Sequence, residues 1–391
     1  MWLKRTLGDV CTVVNGGTPK TGVSEYWNGA NLWITPAEMS KRLSPYVGDS
    51  ERKITELGLR DSSARMLPPY SVVLSSRAPI GHLVINTKPM ATNQGCKGLV
   101  PSAQLEHKFL YYYLSSIVDL LNELGSGATF KELSGGKLKE VGIPLPPLLE
   151  QQRIVGLLDE AFGGIATAKA NAEKNLQNAR ALFESHLQAV FTQRGSGWTE
   201  KRLEQVGSTQ TGSTPRAADD THYGKFMAFV KPGDFNVDGS LRYDNDGLSE
   251  RGLASARKVA AGSVLMVCIG ATIGKCGYCD RDVTTNQQVN ALTPTDGSSN
   301  KFIYYQMLTE SFQRSVVHSS GQATLPIINK SKWSALPIWV PPTAAEQNRI
   351  ADSFDALRAE TQRLESLYQQ KLTALDTLKK SLLHQAFSGA L

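Results

Sequence analysis

The sequence predicts an α+β protein with a pseudo-twofold internal repeat, in which two tandem α/β domains are separated by two long helices pairing as an antiparallel coiled coil. Three observations carry this. The stretch "NGGTPK" at residues 15–20 returns as "TGSTPR" at residues 211–216. Residues 150–191 and 346–387 contain no proline. The offset between the copies, 196, is a whole number of heptads, so both helices fall in one heptad frame.

The echo extends far beyond the loop, which marks a tandem duplication rather than a shared turn. At the same offset Trp2 meets Trp198, Leu7 meets Leu203, Val10 meets Val206 and Pro19 meets Pro215. "WITPAEM" from Trp33 lies over "FVKPGDF" from Phe229. "SARMLPPYSVVL" then meets "SARKVAAGSVLM", "TNQ" at Thr92 meets "TNQ" at Thr285, and "KFLYY" at Lys108 meets "KFIYY" at Lys301. "PPLLEQQRI" and "PPTAAEQNRI" close the two repeats.

Residues 1–149 form the first domain. Short apolar runs such as "YSVVLSS", "HLVIN" and "VGIPLP", broken by Gly, Pro, Asn and Ser, read as strands and loops. A helix is expected near "HKFLYYYLSSIVDLLNEL", with "FLYYYL" as its core rather than a base-stacking platform. The first long helix follows at 150–192, its seam running through Ile154, Leu158, Ala161, Ile165, Ala168, Ala172, Ala179 and Leu182. Residues 193–345 repeat the domain. The second helix, 346–391, carries Ile350, Phe354, Leu357, Leu364, Tyr368, Leu375, Leu378 and Leu382 in steps of four and three, the spacing of a coiled-coil seam. Two amphipathic helices each capping its own domain is the other reading of these stripes.

Composition fits a globular chain with real cores: 391 residues, 41% hydrophobic and 20% charged. The N-terminus "MWLKRTLGDV" lacks signal-peptide features and no apolar run reaches membrane-helix length, so a cytoplasmic, non-membrane protein is expected. The net charge of +6 is concentrated in the two α/β domains, +4 over 1–149 and +3 over 193–345. Five cysteines are too few and too odd for a secreted disulfide framework, and "CGYC" at Cys276–Cys279 lacks the second pair a zinc site needs. No metal site is expected.

Catalytic motifs fail on inspection. "LPPY" at Leu67–Tyr70 imitates the tetrapeptide of amino-methyltransferases, yet leucine stands where a side chain must accept a hydrogen bond from the target amine. "GATIGKC" from Gly270 is one residue too short between its glycines for a phosphate loop, with Cys276 where Ser or Thr should hold Mg²⁺, and reads as a hairpin turn. The six histidines form no ligand cluster. The chain is expected to carry no catalytic residue.

Together the paired openings, the "W-I-T-P" and "F-V-K-P" segments, the "SVVL" and "SVLM" strands, "TNQ", and the "EQQRI" and "EQNRI" helix starts resemble the specificity (S) subunit of type I restriction-modification systems. That resemblance covers the whole chain. It implies two target recognition domains and two conserved spacer helices. It further implies a subunit without chemistry that brings two modification (methyltransferase) subunits, and in the restriction complex the motor-nuclease subunits, to a bipartite site on double-stranded DNA. S-adenosylmethionine would belong to the modification partner, and ATP and Mg to the restriction partner.

Antiparallel helices place unlike domains on two half-sites about one helical turn, ~34 Å, or somewhat more apart. The expected target is asymmetric, and a helix pair without DNA binding, serving as a protein adaptor, is the alternative. Candidate DNA-facing residues are Thr18 and Lys20 in the first loop and Thr214 and Arg216 in the second, the pair Arg65 and Arg257, Arg77, and Lys231. Their cations would meet phosphates and their polar ends base edges. "TNQ" is expected to be a strand-end turn holding the fold, because it recurs unchanged in domains that read different bases.

Overall fold

Each repeat begins and ends on one short ribbon. Leu3–Thr6 pairs antiparallel with Gly142–Leu145, Leu3 facing Leu145, and Thr199–Arg202 pairs in the same way with Pro337–Val340. The opening "W…L" motif and the "PLP" or "IWV" motif are therefore hydrogen-bonded partners, which explains why both recur. The computed structural model describes residues 2–42, 44–77, 79–127, 131–295, 297–321 and 325–391. The chain divides into two units: residues 1–173 with 370–391, and residues 174–369.

In the first unit a five-stranded sheet runs in the order Cys11–Asn15, Cys96–Pro101, Val72–Ser76, Ile80–Asn86, Tyr46–Val47. Beside it stands a three-stranded sheet of Arg52–Ile54, Trp27–Ile34 and Met90–Thr92. Apart from its ribbon, the second unit has two sheets of four strands each. Gly207–Thr211, Val289–Pro294, Val264–Val267 and Cys276–Tyr278 form one, and Gly247–Leu248, Tyr223–Val230, Val283–Thr285 and Lys258–Val259 the other. Most pairs are antiparallel, as short strands joined by tight turns require. The exceptions include the link between Trp27–Ile34 and Met90–Thr92 and its counterpart between Tyr223–Val230 and Val283–Thr285.

The aromatic helix is core. It spans His107–Ser116, and Phe109, Leu110 and Leu114 are fully buried against Val72, Leu74 and Ile85.

The two long helices run Leu148–Gln193 and Ala344–Ser388. Both contribute to the core of both units. In the first unit Ile154 and Leu158 share a cluster with Leu383 and Ala386, and the Phe387 ring packs on Phe109 at 5.1 Å. Arg153 donates to the Leu391 carbonyl at 2.9 Å and Lys169 pairs with Asp376 at 2.8 Å, so the helices run antiparallel. In the second unit Phe191 stacks on Phe354 at 5.8 Å and Arg180 pairs with Glu365 at 2.9 Å, antiparallel again.

The seam departs from the heptad extrapolation at its ends. Ile154, Leu158, Ile165, Ile350 and Phe354 are buried, and Leu357, Leu364, Leu375 and Leu382 are half-buried. Leu182 and Leu378, however, are 50% and 46% exposed, which corrects their assignment to the seam. The buried stripe moves instead to Phe183 and Leu187 on the first helix and to Leu383 and Ala386 on the second. A helix with 3.6 residues per turn drifts by ~20° per heptad against a strict seven-residue repeat, so after a few turns the inward position has stepped on by one.

A duplicated joint fixes each α/β domain to the helix that follows it. Gln151 of "EQQRI" is wholly buried. Its side chain accepts from the Glu106 amide at 2.8 Å and donates to the carbonyls of Gln104 and Pro146, each at 2.9 Å. Gln347 of "EQNRI" accepts from the Ser299 amide at 2.7 Å. About two turns further on, Asp159 takes Lys108 at 2.7 Å and the Tyr112 hydroxyl, and Asp355 takes Lys301 and the Tyr305 hydroxyl. The repeated "KFLYY" and "KFIYY" motifs thus supply a cation and a phenol to one carboxylate on the long helix. Burial, followed by the bond to the carboxylate, pushes both tyrosine pKa values up.

Candidate nucleic-acid interface

The repeated loop is seated on the repeated turn in both units. After strand Cys11–Asn15, the Gly16 amide donates to the Cys96 carbonyl at 3.1 Å and the Gly17 amide to the Thr92 carbonyl at 2.9 Å. In the second unit Gly212 donates to Val289 at 3.0 Å and Ser213 to Thr285 at 2.9 Å. Glycine is required by proximity: a Cβ on Gly16 would lie 1.8 Å from the Asn93 carbonyl oxygen, and one on Gly212 2.2 Å from that of Asn286. The prolines that follow, Pro19 and Pro215, are buried.

Hydroxyl and aromatic contacts complete the seat. Thr18 donates to Oε1 of Gln94, and Thr214 donates to Oε1 of Gln287. The Trp27 indole donates to the Lys20 carbonyl at 3.3 Å, and Tyr223, its equivalent in the repeat, donates to the Pro215 carbonyl at 3.2 Å. The Trp33 indole holds the Gly17 carbonyl at 2.9 Å.

The "SAR" segment joins the same surface. A Cβ on Gly17 would meet the Ala64 amide nitrogen at 2.2 Å, so the first loop lies directly against Ser63 and Ala64. Where the second loop has Ser213 instead, its hydroxyl accepts from the Arg257 amide at 3.0 Å. Arg257 also donates from Nη1 to the Thr211 carbonyl at 2.9 Å, whereas Arg65 turns back onto the carbonyls of Ser62 and Ala64, at 3.3 and 2.9 Å. Both arginines are exposed, as are Lys20 and Arg216. In each unit the loop, the "SAR" arginine and "TNQ" therefore form one polar surface flanked by cations.

Two candidates lie elsewhere. Arg77 is exposed just past strand Val72–Ser76, bridged through its backbone to Glu132. Lys231 caps its own turn by donating its amide to Asp234 at 2.7 Å, and its ammonium pairs with Asp246 at 2.9 Å above the Phe229 ring. Its charge is matched locally, which makes it a weaker phosphate ligand than Lys20 or Arg216. Sequence reading also missed Arg52, whose guanidinium covers Trp27 at 3.8 Å and Trp33 at 5.1 Å. Only the strand register, in which Arg52 faces Trp33, brings them together.

The motifs that imitate catalytic ones are structural. "LPPY" is a tight turn in which Tyr70 takes φ +65° and donates its amide to the Asn86 carbonyl at 2.6 Å, while the Asn86 side chain donates to the Pro68 carbonyl at 2.8 Å. "GATIGKC" closes the hairpin between Val264–Val267 and Cys276–Tyr278, with Gly270 and Gly274 at positive φ. Cys276 and Cys279 are buried free thiols. Burial pushes Cys279 up to about 11, so it stays protonated at neutral pH and is a poor nucleophile or metal ligand. Among the described residues no helix is long and apolar enough to cross a membrane.

Comparison with known proteins agrees with this arrangement. The family model "Type I restriction modification DNA specificity domain" matches twice, over residues 1–176 and 195–374. The MjaIX specificity subunit of Methanocaldococcus jannaschii is 32% identical over 228 residues, covering 54% of this chain and 53% of that one. The EcoBI specificity subunit of Escherichia coli is 25% identical over 357 residues, covering 83% and 74%. The match thus spans about half the length of the M. jannaschii relative. Among solved structures, a chain from a study of assembly and conformational transition in the type I R-M system superposes with TM-score 0.77 at 19% identity, covering 100% of this chain and 98% of that one. The HsdS subunit of Thermoanaerobacter tengcongensis superposes with TM-score 0.67 at 20% identity, covering 100% and 97%.

Proposed function

The chain belongs to the type I restriction-modification DNA specificity family, and on that footing we propose that it is the non-catalytic subunit that chooses the DNA sequence. Each α/β domain reads one half of an asymmetric bipartite site, and the paired helices set the distance between the halves and dock two modification subunits. The observation that carries this reading is the loop, "SAR" and "TNQ" surface, present once in each unit with exposed cations beside it. A protein that reads two half-sites needs one such surface per half. Lys20, Arg65, Arg77, Arg216 and Arg257 supply phosphate contacts, with Lys231 released to DNA only at the expense of Asp246.

Chemistry belongs to the partners: S-adenosylmethionine to the modification subunits, ATP and Mg to the restriction subunits. Selection from a randomised duplex library, with the chain alone and together with a modification subunit, tests the reading. The expected consensus is two unlike half-sites with an unread spacer, bound with strong salt dependence. Duplex binding that is absent or insensitive to salt would defeat it. Micromolar binding of S-adenosylmethionine to the chain alone would defeat its non-catalytic part.

A further inference from the structure

The fold accounts for two of the three residues in "TNQ" and leaves the third over. Thr92 and Thr285 are buried strand residues, 2% and 0% exposed. Asn93 holds the turn by accepting from the Gly95 amide at 3.0 Å, and Asn286 does so by accepting from Gln288 at 3.1 Å. Gln94 and Gln287 are exposed. Each accepts the hydroxyl of the loop threonine on Oε1, which orients the amide so that its two N–H groups point away from the loop. Among the described residues neither amide nitrogen donates to a protein group.

A fixed, outward-facing donor pair on a surface flanked by Lys20 or Arg216 is suited to an anionic acceptor. Its identity in the two units restricts what that acceptor can be. Two half-sites of different sequence always share their sugar-phosphate backbone, whereas the same side chain reading base edges in both would need the same base at that place in each half. We propose that Gln94 and Gln287 are phosphate clamps. Each donates its amide to a backbone phosphate oxygen at the same place in its half-site, and Thr18 and Thr214 hold them in register. This rests on the DNA-recognition reading above and adds two residues that set where each domain sits on the duplex without contributing to its sequence choice.

The test uses the full chain, a pool of random-sequence duplexes and the duplex recovered by library selection. Gln94→Glu and Gln287→Glu keep the acceptor for the threonine but replace the amide donors with a carboxylate; Gln94→Ala and Gln287→Ala remove the group. Each alanine variant is expected to bind both probes at least about tenfold more weakly, the lower end of what a hydrogen bond to a charged group contributes. The glutamate variants should lose more. Consensus, thermal midpoint and the salt slope of the alanine variants should stay as in the wild type, because no cation is removed. Unchanged affinity, a consensus relaxed at one base in one half, or a loss that tracks a fallen midpoint would each overturn the clamp. Wild-type chain that binds neither probe would overturn the DNA-recognition reading itself.

Discussion

Gln151 shows how much one motif residue holds. Its buried carboxamide satisfies one amide and two carbonyls at the junction of domain and helix. Gln151→Ala leaves all three without a partner and should cost about 2–3 kcal/mol in urea unfolding, while Gln152→Ala on the exposed face should stay within about 0.5 kcal/mol. A small effect at Gln151 would mean that the joint is not tight. The Asp355 joint makes a pH prediction. The bond to Asp355 raises Lys301, and burial followed by that bond raises Tyr305. Both groups hold their protons longer when folded, so their stabilisation is complete below the unfolded values of ~10 and is lost as pH rises above them. The buried thiols, raised in the same way, should start to lower the urea midpoint near pH 9, and the fall should steepen above about pH 10 as these two groups join, with tyrosinate absorbance from these phenols appearing only as the chain unfolds. A midpoint that continues level to higher pH would refute the linkage. The motif glutamine was visible in the sequence as a repeated letter, but its role was not, because its partners at 104, 106 and 146 are set by packing.

Among the elements, the long helices were the most legible and their seam was the least accurately placed. Absence of proline gave their extent to within a few residues, yet a strict heptad assigned to the seam Leu182 and Leu378, which are 50% and 46% exposed. Leu182→Lys and Leu378→Lys should therefore leave stability within about 0.5 kcal/mol of wild type. Leu187→Lys and Leu383→Lys should each cost at least ~2 kcal/mol, because a buried ammonium would replace core contacts. Thermal unfolding of the four variants separates a straight 3.6-residue stripe from a heptad one: equal damage at Leu182 and Leu187 would restore the heptad. The sheets were legible only as a collection of strands. Which strands pair, and hence the meeting of Arg52 with Trp27 and Trp33, depends on contacts distant in sequence.

At the scale of the whole molecule, each unit needs ends from both helices, so neither half of the chain is self-sufficient. Leu187, Val190 and Phe191 stand 196 residues before Leu383, Ala386 and Phe387, in equivalent places. A half-chain of residues 1–195 could therefore complete its own core by dimerising, and so could 196–391. The first would bring Ala168, Ala172 and Ala179 together, and the second Leu357, Leu364 and Leu375. At ~25 cal/mol per Å² of apolar surface, the second half should dimerise more tightly. Sedimentation equilibrium on both halves checks this, and a monomeric, folded first half would contradict the shared core.

Duplication, domain class, helix extent and the identity of the shared loop were all determined by the sequence, because repetition and periodicity are local patterns read along one chain. The glycines at 16 and 212 were visible as constants, but the reason for them, an approach too close for any Cβ, lies in the turn at residues 92–94 and its copy at 285–287. Tertiary structure alone decided that this turn is half scaffold and half outward-facing donor. The division depends on which side chains the packed strands bury and which they leave to solvent, and three adjacent letters cannot show it.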